Sequence, residues 1–132
     1  MNLIKKKLPL LIGIIITTLY LGFNLAIIDD YGVTWDYTYH FNAGLWHLKI
    51  PSTDPNFIMG PSAPLSDILP TLSYLFFYEK WNILPFDAAY NLYSVFIGSV
   101  GILILFLFAK ELFNPQIAFF SAITLCLLPR YF

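Results

Sequence analysis

The chain has 132 residues, of which 58% are hydrophobic, 19% aromatic and only 11% charged, with a formal net charge of -1. A soluble domain usually carries charge on about a quarter of its residues, so this composition leaves a water-facing surface uncovered and points to lipid as the solvent. The charge balance excludes the basic footprint of a nucleic-acid binder, and a single cysteine, Cys126, excludes an internal disulfide.

Residues 8–28 contain no charged side chain and are rich in Leu and Ile. A run of about 21 residues makes roughly 31 Å of helix, enough to cross a hydrocarbon core of about 30 Å. Pro9 is expected in the first turn, where its missing N–H does no harm. Asn24 is expected to reach water at the outer end. Lys5, Lys6 and Lys7 precede the run and, by the positive-inside rule, hold residues 1–7 in the cytoplasm. A cleaved signal peptide is the competing reading. Its apolar core is normally about 7–15 residues, shorter than the run here.

Residues 29–87 then form an external loop. It carries seven of the eight acidic residues, Asp29, Asp30, Asp36, Asp54, Asp67, Glu79 and Asp87, against Lys49 and Lys80. The loop is too apolar and aromatic for a disordered linker. Residues 34–49, with Thr34 as N-cap, and about 65–79, broken or kinked at Pro70, read as two helices lying along the membrane surface, with Trp and Tyr at headgroup depth. The Pro/Ser/Gly-rich stretch 51–64 joins them.

A second span is expected over 88–109, opened by Asp87 as N-cap and closed by Lys110 on the cytoplasmic side. Gly98, Ser99 and Gly101 give it a small-residue face for helix packing. Residues 110–114 form a turn. Asn114-Pro115 reads as N-cap and first residue of a third span over 115–132, whose apolar part of about 14 residues is short for a crossing. The fold class expected is therefore all-α integral membrane: three transmembrane helices and a long external loop carrying two interfacial helices. A third span ending at Arg130-Tyr131-Phe132, with no polar tail, carries the further expectation that the natural chain runs on.

Soluble catalytic signatures are missing from the sequence. It has no Gly-rich phosphate loop, no Ser or Cys nucleophile motif and no Cys/His spacing suited to zinc. His40 and His47, seven residues apart, would lie about 10 Å apart along a helix, too far for a shared metal, so no metal site is expected. The chemistry must then rest on acidic residues at the membrane mouth. Asp29 and Asp30 follow the first span directly and read as exit markers, or as alternative acidic site residues. Asp36 lies among Trp35, Tyr37, Tyr39, His40 and Phe41. Partial desolvation there is expected to raise its pKa and suit it to act as a general base; the alternative is an acid that caps a surface helix.

The string Tyr31-Gly32-Val33-Thr34-Trp35-Asp36, followed by Tyr39-His40-Phe41 and Gly44, resembles the first external loop of phospholipid-carrier-dependent glycosyltransferases. These are multi-span enzymes of the GT-C type, related to protein O-mannosyltransferases. Pro64-Leu65, Leu112-Phe113-Asn114 and Pro129-Arg130-Tyr131-Phe132 resemble later strings of that family in the same order. The resemblance covers nearly all of this chain and about the first quarter of such an enzyme. Tyr37 departs from it, standing where many relatives have Glu.

The resemblance implies a polyprenyl-phosphate sugar as donor and an acceptor hydroxyl on the external face. Asp36 would be the catalytic base of an inverting transfer. His40 would orient Asp36 or contact the acceptor, and Arg130 would pair with the donor phosphate. For His40 the simpler reading is an interfacial aromatic, and for Arg130 a side chain snorkelling to the headgroups. Beyond the lipid-linked sugar and the bilayer no cofactor is evident, and the resemblance leaves a divalent-metal requirement and the oligomeric state open. A small three-helix scaffold or anchoring protein without catalysis is the alternative from another class. A transporter finds no support, because the apolar stretch of no span contains a charged residue.

Overall fold

The computed structural model describes residues 2–128, with the side chains of residues 2–7 left aside. Every regular element among the described residues is helical, and none is a strand. Its long elements are α1 (Asn2–Ala26), α2 (Tyr37–His47), α3 (Pro64–Tyr74), α4 (Phe86–Leu112) and α5 (Pro115–Cys126). A 3-10 turn over Ile28–Asp30 follows α1, and a π-helical segment over Leu75–Lys80 follows α3. Two helical stretches, Leu8–Ala26 and Phe86–Leu112, are long and apolar enough to cross a membrane. At 12 residues α5 is about 18 Å long, short of a hydrocarbon core by itself.

The chain divides into two compact units. One comprises α1, the second half of α4 and α5. Its core joins Ile16 and Tyr20 of α1, Ile102, Phe106 and Ala109 of α4, and Ala118 and Ala122 of α5. The alanines bring helix backbones close, as at lipid-embedded interfaces, where small residues replace bulk. Gly13 serves the same end, since a Cβ there would lie 2.9 Å from Phe106 Cε1. Leu19, Phe23, Ile104 and Phe108 face outward and are exposed.

Several local expectations change in this unit. α1 begins at Asn2, so Pro9 lies inside the helix, not in its first turn. Asn24 is buried, with its Nδ2 donating to Tyr20 O at 2.8 Å, because a side chain this short satisfies itself on the preceding turn before it can reach solvent. Of the small-residue face only Ser99 is buried, its Oγ donating to Val95 O at 2.8 Å. Asn114 does cap α5, its Oδ1 accepting from the N–H groups of Gln116 and Ile117, both at 3.0 Å, with Pro115 as the first helical residue.

The other unit spans residues 27–94 and holds α2, α3, the π-helical segment and the start of α4. Aromatic rings fill its core. Phe41 of α2 meets Tyr74 of α3 edge-on at 4.9 Å, and Tyr37 meets Phe86 and Tyr90 of α4, each at 4.9 Å. Such edge-to-face pairs each contribute about 0.5–1.5 kcal/mol beyond area burial. α2 ends in a Schellman motif. Ile50 N donates to Leu45 O at 2.9 Å and Lys49 N to Trp46 O at 3.0 Å, while Lys49 takes the left-handed conformation at φ 59°. Asn42 anchors the following loop: its Oδ1 accepts from Ser52 Oγ, Thr53 N and Thr53 Oγ1 at 2.7, 2.9 and 2.9 Å.

Three boundaries differ from the sequence reading. α3 continues through Pro70 without a break there, and Pro70 is buried within the same unit as α2, so tertiary packing overrides the lost backbone bond. The helical geometry changes only after Tyr74, in the π-helical segment Leu75–Lys80. α4 starts at Phe86, so Asp87 lies within its first turn, accepting from Ala88 N at 3.0 Å instead of standing at the N-cap.

Candidate functional site

The site grows from the start of α2. The chain is non-helical from Tyr31 to Thr34, and its carbonyls at Tyr31 and Gly32 accept from Asn91 Nδ2 of α4, at 3.5 and 3.2 Å. Tyr37 N donates to Thr34 O at 3.0 Å, and α2 follows from Tyr37 onward. Thr34 is therefore not the N-cap. Asp36 occupies that position, and its side chain makes no capping hydrogen bond.

Asp36 and His40 are one helical turn apart and so share a face of α2. His40 Nε2 lies 3.4 Å from Asp36 Oδ2. On the other side of the ring, His40 Nδ1 lies 2.8 Å from Oδ1 of Asp67. Asp67 belongs to the first turn of α3, which Pro64 opens at its N-terminal position. The positive end of the helix dipole favours a carboxylate there. One imidazole thus joins two carboxylates from different helices.

The two ends of this chain differ in solvent access. The side chain of Asp36 is 36% exposed and that of His40 38%, whereas that of Asp67 is 0% exposed. Asp67 Oδ2 and Thr71 Oγ1, one turn apart on α3, are both buried without a hydrogen-bond partner. Gly44 explains how α2 comes so near. A Cβ at position 44 would overlap Thr71 Oγ1 and the Asp67 carbonyl oxygen, so only glycine admits this approach.

The electrostatics of Asp36 overturn one expectation. Its pKa is lowered from the ordinary 3.8, not raised. The first cause is a hydrogen bond from the Thr34 side chain; burial pushes the other way but more weakly, and the positive charge on His40 adds to the lowering. The aromatic neighbours that suggested desolvation turn elsewhere: Trp35 is 95% exposed, and Tyr37 packs into the ring cluster. Burial drives the phenol pKa of Tyr37 up, as it does that of Tyr74, whose hydroxyl donates to Glu79 Oε1 at 2.7 Å.

Of the other residues singled out in the sequence, Asp29 and Asp30 lie exposed on the 3-10 turn and form no ion pair among the described residues. Arg130 lies outside the described residues. His47 turns to Ser62, with Nε2 3.2 Å from Ser62 Oγ, and has no part in the carboxylate chain. Among the described residues no group of three or more His, Cys, Asp or Glu is arranged to hold a metal ion. Asp67 is the residue that sequence reasoning missed. Its signal was its place in the turn that Pro64 opens, on a helix whose Pro70, Thr71 and Tyr74 also face inward.

No protein-family model, curated protein or solved structure matches the chain. What the fold defines is a class: an all-helical chain with two helices able to span a membrane and, beside them in sequence, a helical segment bearing a carboxylate–imidazole–carboxylate chain.

Proposed function

We propose that this chain is the N-terminal part of an integral membrane glycosyltransferase of the GT-C type. In this reading the N-terminus is cytoplasmic, α1 and α4 cross the bilayer in turn, α5 begins a third crossing over residues 115–132, and residues 29–87 form the external loop. The enzyme transfers a sugar from a polyprenyl-phosphate donor to an acceptor hydroxyl on the external face, and Asp36 is the general base.

The observation that carries the reading is the ionised, half-exposed carboxylate of Asp36 backed by His40 at 3.4 Å. A hydroxyl must lose its proton as it attacks the anomeric carbon, and a positioned carboxylate typically contributes about 10²–10⁴-fold to such a step. The lowered pKa makes Asp36 a weaker base than desolvation would have made it, so its case rests on its position at the start of α2 beside His40 and not on its pKa. The order of the Thr34-Trp35-Asp36, Pro64-Leu65 and Leu112-Phe113-Asn114 strings supports the same family. Tyr37, where relatives carry Glu, packs between Phe86 and Tyr90, so no second carboxylate works beside Asp36 at that position.

Asp36→Asn in the complete protein tests the proposal. Expression in membranes should be unchanged and sugar transfer from polyprenyl-phosphate donors should be abolished. Full transfer by that variant would end the assignment.

A further inference from the structure

Asp67 has no role in the mechanism as stated, yet its setting is unusual. A carboxylate is expensive to bury, and buried polar atoms are nearly always fully hydrogen-bonded. Asp67 is 0% exposed, one of its oxygens has no partner, and the other has only His40 Nδ1 as its side-chain partner. A neutral imidazole carries one N–H and one lone pair, and the hydrogen bond made by one nitrogen decides which is which. Ionised carboxylates can only accept, and one faces each ring nitrogen. The Asp67 contact is the shorter, 2.8 against 3.4 Å, and is shielded from water, so it draws the proton to Nδ1 and leaves the lone pair on Nε2. That lone pair faces Asp36 Oδ2.

We infer that Asp67 is a positioning residue that holds His40 as the Nδ1–H tautomer, and that His40 Nε2 then takes over the proton that Asp36 removes from the acceptor. This deepens the transferase reading and rests on it for its second half. The step balances as follows. The acceptor oxygen bonds to the anomeric carbon, and the bond from that carbon to the donor phosphate oxygen breaks. Polyprenyl phosphate leaves with the bonding electron pair. The acceptor proton passes to Asp36 and on to His40 Nε2, giving an imidazolium flanked by two carboxylates, and solvent removes it at the exposed edge of His40. Asp36 is thereby returned to its ionised form within the site, before the proton is lost to solvent.

A purely structural Asp67 would serve only as a first-turn acid for α3 and would be indifferent to the tautomer of His40. The two roles separate in one spectrum. Nitrogen NMR of histidine-labelled complete protein in lipid nanodiscs reports the tautomer directly at a pH where His40 is neutral, with a His47→Gln sample for assignment. The wild-type chain should give Nδ1–H at His40, and Asp67→Asn should reduce or abolish that signature. Nε2–H in the wild type overturns the inference whether or not any variant folds.

The kinetic half uses the same isosteric variant. Asp67→Asn should lower kcat about tenfold or more with KM little changed; for scale, turning the buried carboxylate of a Ser-His-Asp triad into an amide costs about 10⁴ through the wrong tautomer. An unchanged kcat would overturn the proton-acceptor role. If the wild-type protein transfers no sugar, the transferase reading and the proton-acceptor role fall together, while the spectrum still decides whether Asp67 fixes the tautomer.

Discussion

Gly44 of α2 faces Thr71 of α3 so closely that a Cβ at position 44 would overlap the Thr71 hydroxyl. One helical turn earlier on each helix, His40 meets Asp67 at 2.8 Å. The two contacts belong together: the glycine sets how near α2 lies to α3, and that separation sets the length of the imidazole–carboxylate bond. A short hydrogen bond between helices needs this kind of backbone approach, because neither His nor Asp has much reach.

Gly44→Ala should therefore destabilise the unit by about 1–3 kcal/mol, the usual range for overpacking. Adding Thr71→Ala should recover part of the loss, since the overlap with the hydroxyl disappears while those with the position-71 Cβ and the Asp67 carbonyl oxygen remain. Thermal unfolding of the two variants in nanodiscs measures both effects. An unchanged midpoint for Gly44→Ala would contradict the packing described.

Asp36 should titrate below its ordinary 3.8, and Thr34→Val should move it upward, because the Thr34 hydrogen bond is the first cause of the lowering. A group with a depressed folded pKa stabilises the fold above its unfolded value, and that contribution is lost as pH falls through the folded value. The pH window at risk is therefore the acid side of 3.8. Carboxyl carbon shifts of aspartate-labelled protein follow the titration. A midpoint that Thr34→Val leaves in place would remove Thr34 from the account.

Lys49→Gly should raise stability by about 1 kcal/mol. Lys49 closes the Schellman motif at φ 59°, a conformation that costs an L-residue roughly 1–2 kcal/mol, part of which glycine's greater freedom in the unfolded chain offsets. A loss of stability measured by thermal unfolding would mean that the lysine side chain makes a compensating contact.

Much of the helical layout was legible in the sequence, because charge-free runs and the Asn114-Pro115 start carry it directly. Two of the runs are long enough to cross a membrane, α1 and α4. The site was half legible. Asp36 and His40 were visible as neighbours on one helix face through their i, i+4 spacing, and the structure sets them 3.4 Å apart. Asp67 was not, because 27 residues separate it from His40 and only packing at Gly44 brings it in. The pKa of Asp36 was misjudged for a related reason. A ring adjacent in sequence, such as Trp35, need not cover its neighbour, while a small hydroxyl two residues back, on Thr34, does reach the carboxylate. Of the two outcomes expected at Pro70, the break does not occur, since α3 runs on through this buried proline to Tyr74.

The central claim is a base-assisted, single-displacement sugar transfer at Asp36, and the anomeric configuration of the product tests it most directly. The complete protein is incubated with polyprenyl-phosphate sugars of defined anomeric configuration and a hydroxyl acceptor, and the product linkage is read from its proton coupling constants. Inversion relative to the donor, lost together with transfer in Asp36→Asn, is the predicted result. Retention of configuration, or transfer that persists in that variant, would contradict the account.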